Sequence, residues 1–385
     1  MRLKRSPLLF LQLTGLYISD IKGKNAWRRL PSLIAPAVLF TTTFVYHCRA
    51  FYRGVQIFMT NPIQNVEYAV IFGWEFQSVV AAIFMFHWWR TGSIQFFEQS
   101  LKCITSDNKS KHVVSTEMKA TVTKYLKILI VLTMSGTART TASSVYRWVE
   151  QGRSIMQPML GIHRFDFIYR LIGVYQLYLL NCIVLYFMAT VRNLSLQVEA
   201  FNREFQELMH SRNKEDDMSE KMLGAFSTHK MLAQKIREAD KLLRAFIFFM
   251  LVTGVPMSVC GAITLIRRDK LVPFIFAFYD VIFCVVQLSA FTVVPAQLYA
   301  QLHAIPSHIY WSSTIWNRFN PDLFQIARTF TENVQQLPVG LSFGGLVLIR
   351  KSSILMAIVL IVPYVILSYQ LYTESLKTTK HSTFG

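Results

Sequence analysis

The fold is decided by two apolar stretches separated by a four-residue turn. Residues 245–266 read AFIFFMLVTGVPMSVCGAITLI, the charged turn Arg267 to Lys270 follows, and residues 271–294 read LVPFIFAFYDVIFCVVQLSAFTVV. A helix needs about 20 mostly apolar residues to cross a hydrocarbon core about 30 Å thick. Both stretches are long enough, and Asp280 is their one charged residue. They predict two antiparallel membrane-spanning helices.

Five more stretches of similar length and composition lie on either side of this pair. Charged residues or residues typical of turns bound each of them. Because helices pair their backbone groups within the segment, apolar runs of this length predict helices in a membrane. The sequence therefore predicts an all-α, multi-pass membrane protein with seven transmembrane helices. The predicted spans are 30–48, 68–89, 125–146, 167–190, 245–266, 271–294 and 354–372.

The composition of the whole chain supports this class. Of the 385 residues, 52% are hydrophobic and 16% are charged, and the mean hydropathy is +0.33. Soluble domains have about 25% charged residues. The formal charge of +18 is typical of nucleic-acid binding proteins, but the apolar composition argues against a nucleic-acid partner. The five Cys are dispersed without a Cys-x-x-Cys pair, so neither a disulfide framework nor a zinc site is implied. We expect no cofactor.

The positive charges are divided unequally between alternate connections. Twenty-seven of the forty Lys and Arg residues lie in the N-terminal segment and in the second-to-third, fourth-to-fifth and sixth-to-seventh connections. Ten lie in the segments on the other side of the membrane. Cytoplasmic loops carry the excess of Lys and Arg. The distribution predicts a cytoplasmic N-terminus and, with seven spans, an extracellular C-terminus.

The predicted spans divide the chain into seven parts. In the N-terminal part, the apolar run from Leu8 to Ile18 is flanked by basic residues, and we expect a short helix on the membrane surface. The parts are a cytoplasmic N-terminal segment (1–29), transmembrane helices 1 to 4 (30–190), a cytoplasmic helical hairpin (191–244), transmembrane helices 5 and 6 (245–294), a cytoplasmic anchor segment (295–353), transmembrane helix 7 (354–372) and an extracellular tail (373–385).

Apolar residues repeat at helical spacing in the cytoplasmic parts. The polar stretch from Arg212 to Glu220 predicts a turn or link between the two arms of the hairpin. An apolar stripe on a helix must be buried. The stripes either pack within one chain or form a contact between subunits, and the pattern leaves both open. Their residues are Val198, Phe201, Phe205 and Leu208, then Leu232, Ile236, Ala239 and Leu243, then Leu323, Ile326, Ala327 and Phe330.

The last span carries a motif of a known family. Pro363-Tyr364 precedes five residues and Gln370-Leu371. The chain resembles the arthropod gustatory receptors and their gustatory-receptor-like relatives, whose motif is Thr-Tyr, five mostly hydrophobic residues and Gln-Phe. Tyr364, Gln370 and the spacing match, whereas Pro363 replaces Thr and Leu371 replaces Phe. Two further segments resemble the family: Gly340 to Arg350, which we expect to turn tightly or re-enter the membrane, and Pro7 to Phe10 with Gly15-Leu16.

The resemblance implies a chemosensory receptor of the plasma membrane that acts as a ligand-gated, non-selective cation channel. In this family the seventh helices of four subunits line a central pore, and cytoplasmic extensions anchor the subunits. The resemblance therefore implies a homotetramer and leaves open a hetero-oligomer with related receptors. It also implies a small-molecule ligand, such as a taste compound, bound among the earlier spans.

By the same resemblance, Gln370 lines the pore near its outer mouth and Leu371 contributes to a hydrophobic gate. A ring of amides offers dipoles to a partly dehydrated ion, and a ring of apolar side chains closes by dewetting. Ile366 and Leu367, one turn earlier, are the next candidates for the pore face. Pro363 removes a backbone donor and predicts a kink. The alternative for Gln370 is a polar end to the span at the headgroups.

Four ionisable residues lie within or near the predicted outer halves of the spans. Charges at this depth are costly, so they pair with one another or face a cavity. Pairing is one interpretation. The other is a ligand pocket, in which aromatic walls and a few polar groups converge. The charged candidates are Glu75, Arg139, Arg170 and Asp280, and their predicted neighbours include Trp74, Ser143, Tyr169, Phe276 and Tyr279.

Three other classes of membrane protein fit the sequence less well. A heptahelical G-protein-coupled receptor is the main alternative, but Asp/Glu-Arg-Tyr after the third span and Asn-Pro-x-x-Tyr in the seventh are both missing from the sequence. The charge distribution also disagrees with its extracellular N-terminus. A membrane enzyme is not expected, because the sequence has no His-Glu-x-x-His site, nucleophile elbow or phosphate loop. A transporter with matching halves is not indicated, because the sequence shows no internal repeat.

Overall fold

The structure is a computed structural model. It describes residues 7–14, 66–100, 108–151, 166–210, 215–268, 270–312, 315–316 and 320–382, together with scattered positions between 41 and 56. Nearly all of these residues are helical, which confirms the all-α fold class. The elements are α1 Leu8–Leu13, α2 Val66–Thr91, α3 Ser93–Ser100, α4 Asn108–Gln151, α5 Asp166–His210, α6 Glu215–Ile266, α7 Leu271–Leu302, α8 Ile305–Tyr310, α9 Pro321–Gln336, β1 Ser342–Phe343, β2 Val347–Leu348 and α10 Lys351–Ser382.

Three helical segments are long and apolar enough to cross a membrane, among the residues described. They are Ile172–His210, Met218–Ile266 and Leu271–Tyr310. The first contains residues 172–190 of the predicted fourth span, and the other two contain the whole of the predicted fifth and sixth spans. The second, third and seventh predicted spans lie inside α2, α4 and α10, so each of them is helical. Most of the first predicted span, 30–48, lies outside the described residues.

The bundle is built around α5, α6 and α7. These three helices pack on one another, α2 packs on α5 and α6, and α4 packs mainly on α5. Aromatic side chains fill the centre, where the ring of Phe246 lies 5.8 Å from Trp88 and 5.7 Å from Phe291, both nearly perpendicular to it. The last helix, α10, packs on α6 and α7.

Two helices are much longer than a membrane span. α5 runs 45 residues and α6 runs 52 residues. At about 1.5 Å per residue they measure about 68 and 78 Å, more than twice the thickness of a hydrocarbon core. The prediction that the fourth and fifth spans continue as a helical hairpin is confirmed. The predicted polar link was too long, because helix resumes at Glu215, and residues 211–214 lie outside the described part.

The apolar stripes of the hairpin are buried within a single chain. Every stripe residue named in the two hairpin arms is buried or packed against the same core. Phe330 of α9 stands at the centre, with ring centroids 5.8 Å from Phe205, 5.2 Å from Phe226 and 5.4 Å from His229. These stripes are therefore internal packing within one chain. Leu223 and Met231, which lie on α6 outside the stripes, are 52% and 44% exposed. We refer to this part of the molecule, residues 191–244 with 295–349, as the helical base.

The short helix α1 lies inside the protein, so the prediction of a surface helix is wrong for residues 8–14. Leu9, Phe10 and Leu11 are buried against α5. The last carbonyls of a buried helix need donors. The hydroxyls of Tyr175 and Tyr178 supply them, donating to the carbonyl oxygens of Thr14 and Leu13 at 2.9 and 3.1 Å. Residues 15–29 lie outside the described part.

The glycine-rich segment before the last helix forms a tight β-hairpin. β1 pairs antiparallel with β2, with Ser342 opposite Leu348 and Phe343 opposite Val347. Gly344 and Gly345 at the turn have φ of +62° and +79°, which favours glycine at both positions. The prediction of a tight turn is confirmed. α10 then begins at Lys351, passes through Pro363 and continues to Ser382, ten residues beyond the predicted end of the span.

Candidate functional site

One face of α7 carries three of the nine residues predicted for a ligand pocket. Phe276, Tyr279, Asp280 and Phe283 are three or four residues apart, so they share this face. Trp74 of α2 packs edge-on against Phe283, with ring centroids 5.3 Å apart. Tyr279 stacks on the same ring at 6.4 Å. We call these five residues, together with Arg139 of α4, the Asp280 cluster.

Arg139 and Asp280 form an ion pair between α4 and α7. The guanidinium donates to the Asp280 carboxylate, and both side chains are largely buried. The guanidinium also lies 5.9 Å from the centre of the Phe276 ring, within range of a cation–π interaction. A buried charge is tolerated when it is paired. Pairing is therefore the observed state of two of the four predicted charges.

Close backbone contact brings α4, α5 and α7 together at this cluster. Ser135 and Tyr279 share a hydrogen bond of 3.1 Å between their hydroxyls. Gly136, the next residue of α4, lies against Leu177 of α5, because a Cβ there would come 2.2 Å from a terminal methyl of that leucine and would displace it. The cluster is thus held by helices that cannot move apart at this level without losing these contacts.

The other predicted pocket residues do not join the ion pair. Ser143 lies one turn along α4 from Arg139, is buried, and donates to the carbonyl of Thr140 at 3.0 Å. Glu75 follows Trp74 and projects in another direction, and its buried Oε2 has no hydrogen-bond donor among the described residues. Tyr169 and Arg170 lie in α5, but their side chains are outside the described part.

A buried amide network one turn below the aromatic residues was missed by the sequence analysis. Gln287 of α7 donates to Gln77 of α2 at 2.8 Å, and Gln77 donates to the Thr253 hydroxyl of α6 at 2.8 Å. Polar side chains inside a membrane bundle hold helices together. The available signal was the pair of glutamines within the largely apolar second and sixth spans.

α10 exposes its apolar residues in the isolated chain. Leu355, Val359 and Leu367 are 63%, 59% and 51% exposed, and Ile366 and Tyr364 are exposed on the same helix. Gln370 and Pro363 are also exposed, whereas the side chain of Leu371 lies outside the described part. An exposed apolar helix of this length needs lipid or protein around it.

The β-hairpin ties the start of α10 to α6. The Asp240 carboxylate of α6 accepts from the Ser342 backbone N–H at 2.6 Å and from its hydroxyl at 2.7 Å. The hydroxyl oxygen in turn accepts from the N–H of Gly345 at 3.1 Å, and the N–H of Gly344 donates to the carbonyl of Arg244. Phe343 packs on Phe248 of α6 at 4.9 Å. These contacts fix the segment before α10 to α6.

No metal site is visible within the described ranges: nowhere do three His, Cys, Asp or Glu side chains come together. His229, a buried histidine of the helical base, packs among aromatic rings and forms a hydrogen bond. His229 donates to the Leu302 carbonyl at 3.2 Å between the rings of Phe201 and Phe330. Burial lowers its pKa, and nearby His303 acts in the same direction.

The architecture has the fold of an insect olfactory receptor. The protein resembles olfactory receptor OR5 from Machilis hrabei with a TM-score of 0.68, covering 95% of this chain and 97% of that chain. It resembles OR5 in complex with eugenol with a TM-score of 0.67 and the same coverage. The sequence identities are 8% and 10%, so the likeness is one of fold. No family model matches the sequence, and no curated protein matches it.

Proposed function

We propose that the chain is a subunit of a ligand-gated, non-selective cation channel that senses small molecules at the plasma membrane. The observation that supports this most is the olfactory-receptor fold over 95% of the chain. It favours a receptor over an enzyme and argues against the G-protein-coupled alternative. The match of Tyr364 and Gln370 to the gustatory-receptor motif supports a gustatory-receptor-like member.

The pore is formed by four copies of α10 in a homotetramer. α10 packs against α6 and α7, and its residues Leu355, Val359 and Leu367 are exposed in a single chain, so they are available to meet neighbouring subunits and lipid. Gln370 and Leu371 line the outer part of the pore, with Leu367 and Ile366 one turn nearer the cytoplasm. The apolar side chains close the pore by excluding water, and the amides line it without a trapping charge.

The ligand binds at the Asp280 cluster. The cluster combines aromatic rings with a few polar groups, which is the usual composition of a small-molecule site. The OR5 structure in complex with eugenol supports a small organic ligand for this fold. Arg139, Asp280 and Tyr279 orient the ligand, and Trp74 and Phe276 form its apolar walls. Glu75, Ser143, Tyr169 and Arg170 border this site.

Opening requires that ligand binding changes the position of α10. α7 carries the ligand site and packs on both α6 and α10. α6 holds the β-hairpin through Asp240, and α10 begins three residues after the hairpin ends at Leu348. Displacement of α7 by the ligand therefore reaches the pore helix directly and through the hairpin.

The experiment that tests this function replaces Gln370 by Ala in cells that express the protein. Removal of four amides from the pore should change the relative permeability to Na⁺, K⁺ and Ca²⁺, read from the reversal potential of the current. Surface labelling should show unchanged expression. Gln325→Ala, an exposed amide of α9, serves as the matched control. Unchanged permeation in Gln370→Ala would remove this residue from the pore.

A further inference from the structure

An open surface groove of about 360 Å³ lies along α4, away from the Asp280 cluster. Its lining is Lys119, Ala120, Thr123, Lys124 and Lys127. Three of the five residues are lysines. α4 has two acidic residues, Glu117 and Glu150, and neither lines the groove. The groove therefore has a strongly positive lining.

Helical geometry places the three ammonium groups on one side of α4. Residues 119, 123 and 127 are four apart, as are 120 and 124, so they form adjacent rows on the same face. The opposite face, with Val114, Met118, Val122 and Leu129, is buried in the core. The Thr123 hydroxyl donates to the carbonyl of Lys119 at 2.9 Å and so leaves the space between the lysines open.

The groove lies where the exposed face of α4 changes from charged to apolar. Directly after Lys127, the exposed residues are Ile130, Val131 and Met134, which are 57%, 65% and 67% exposed. Ile130, Val131 and Met134 are three, four and seven residues beyond Lys127, so they continue the same face. Exposed apolar side chains on a membrane helix face the hydrocarbon, and the lysines therefore stand at the level of the lipid headgroups.

We propose that this groove binds the headgroup of an anionic phospholipid. The positive charge complements a phosphate or carboxylate group, and the apolar face next to it is in contact with the acyl chains. The end of α4 that carries the groove is the end that the Lys and Arg distribution assigns to the cytoplasm, whose leaflet contains anionic lipids. Lysine side chains at this level extend their charge toward the headgroups while the stem covers apolar surface.

The test measures lipid binding to the purified full-length protein in detergent by native mass spectrometry. Phosphatidylserine and phosphatidylcholine are added separately at matched concentrations. We expect phosphatidylserine to bind more tightly, and the triple variant Lys119→Gln, Lys124→Gln, Lys127→Gln to lose about tenfold or more of that affinity. The charge-conserving triple variant to Arg should retain it, which separates loss of charge from failure to fold.

A second triple variant serves as the control for overall charge. Lys230, Arg237 and Lys241 are exposed on α6 in the helical base, and their replacement by Gln removes the same charge. This control should bind phosphatidylserine as the wild type does. Equal binding by the groove variant, or an equal loss in the control, would overturn the proposal. Displacement of the lipid by inorganic phosphate would also overturn it, because the site would then recognise a phosphate group from solution.

Discussion

At the scale of single residues, two of the charges in the apolar part of the protein, Arg139 and Asp280, compensate each other by pairing. Arg139 and Asp280 are 141 residues apart in the sequence and lie on different helices. Asp240 and Ser342 form a similar long-range contact in the helical base. The sequence marks the two charges of the first pair as candidates, but it does not show that they meet. The second contact could not be predicted from the sequence, because neither residue interrupts a local pattern.

The ion pair predicts a specific pattern of stabilities. Arg139→Ala leaves the Asp280 carboxylate buried without its partner, and breaking such a pair costs about 3–5 kcal/mol. We expect a markedly lower unfolding temperature for purified Arg139→Ala, measured by thermal scanning in nanodiscs. The double variant Arg139→Ala, Asp280→Asn should lose less stability than the two single variants lose in sum. Strictly additive losses would contradict the pairing. Ile130→Ala, an exposed position of the same helix, is the control.

The contact of Asp240 with the hairpin predicts a change in local dynamics. Asp240→Ala removes the acceptor of two hydrogen bonds to Ser342. We expect faster amide hydrogen exchange across residues 341–349, because each lost bond to a charged group contributes about 1.5–3 kcal/mol. Exchange in α9 should stay as in the wild type. Glu238→Ala, which removes an exposed contact with Gln234 on the same helix, is the matched control. Equal exchange in the two variants would show that Asp240 does not hold the hairpin.

At the scale of elements, periodicity predicted the helices well and their partners poorly. The stripes on α5 and α6 repeat at helical spacing, and both helices are much longer than a membrane span, as expected. Whether a stripe faces its own chain or a second subunit depends on which elements fold onto it. The answer lay in α9, whose Phe330 reaches the aromatic cluster of both arms. The buried α1 was misjudged for the same reason, because Tyr175 and Tyr178 are distant in the sequence.

The helical base should lose stability in mild acid. Burial lowers the pKa of His229, so protonation favours the unfolded chain. The stabilisation from the neutral imidazole is complete above the unfolded pKa of about 6.5 and is lost progressively as the pH falls below it. We expect the unfolding temperature to fall between pH 7.5 and 5.5, and His229→Gln to reduce that dependence. His112→Gln, an exposed histidine of α4, should leave it unchanged. An identical pH dependence in His229→Gln would contradict this role.

At the scale of the whole molecule, the all-α architecture was readable from hydropathy, and α10 shows why the assembly is a separate question. Its composition identifies an apolar helix, and its exposure in one chain calls for surroundings that a single chain does not provide. The number of subunits is a property of contacts between copies. The proposed pore role of α10 depends on the motif match of Tyr364 and Gln370, and packing within one chain does not test it.

The most direct test of the account places an epitope tag at each terminus and measures which tag an impermeant antibody reaches in intact cells. The account predicts an accessible C-terminal tag and an N-terminal tag that is reached only after permeabilisation. This orientation follows from the excess of Lys and Arg in the connections assigned to the cytoplasm. An accessible N-terminus with a hidden C-terminus would contradict the channel assignment and restore the G-protein-coupled alternative.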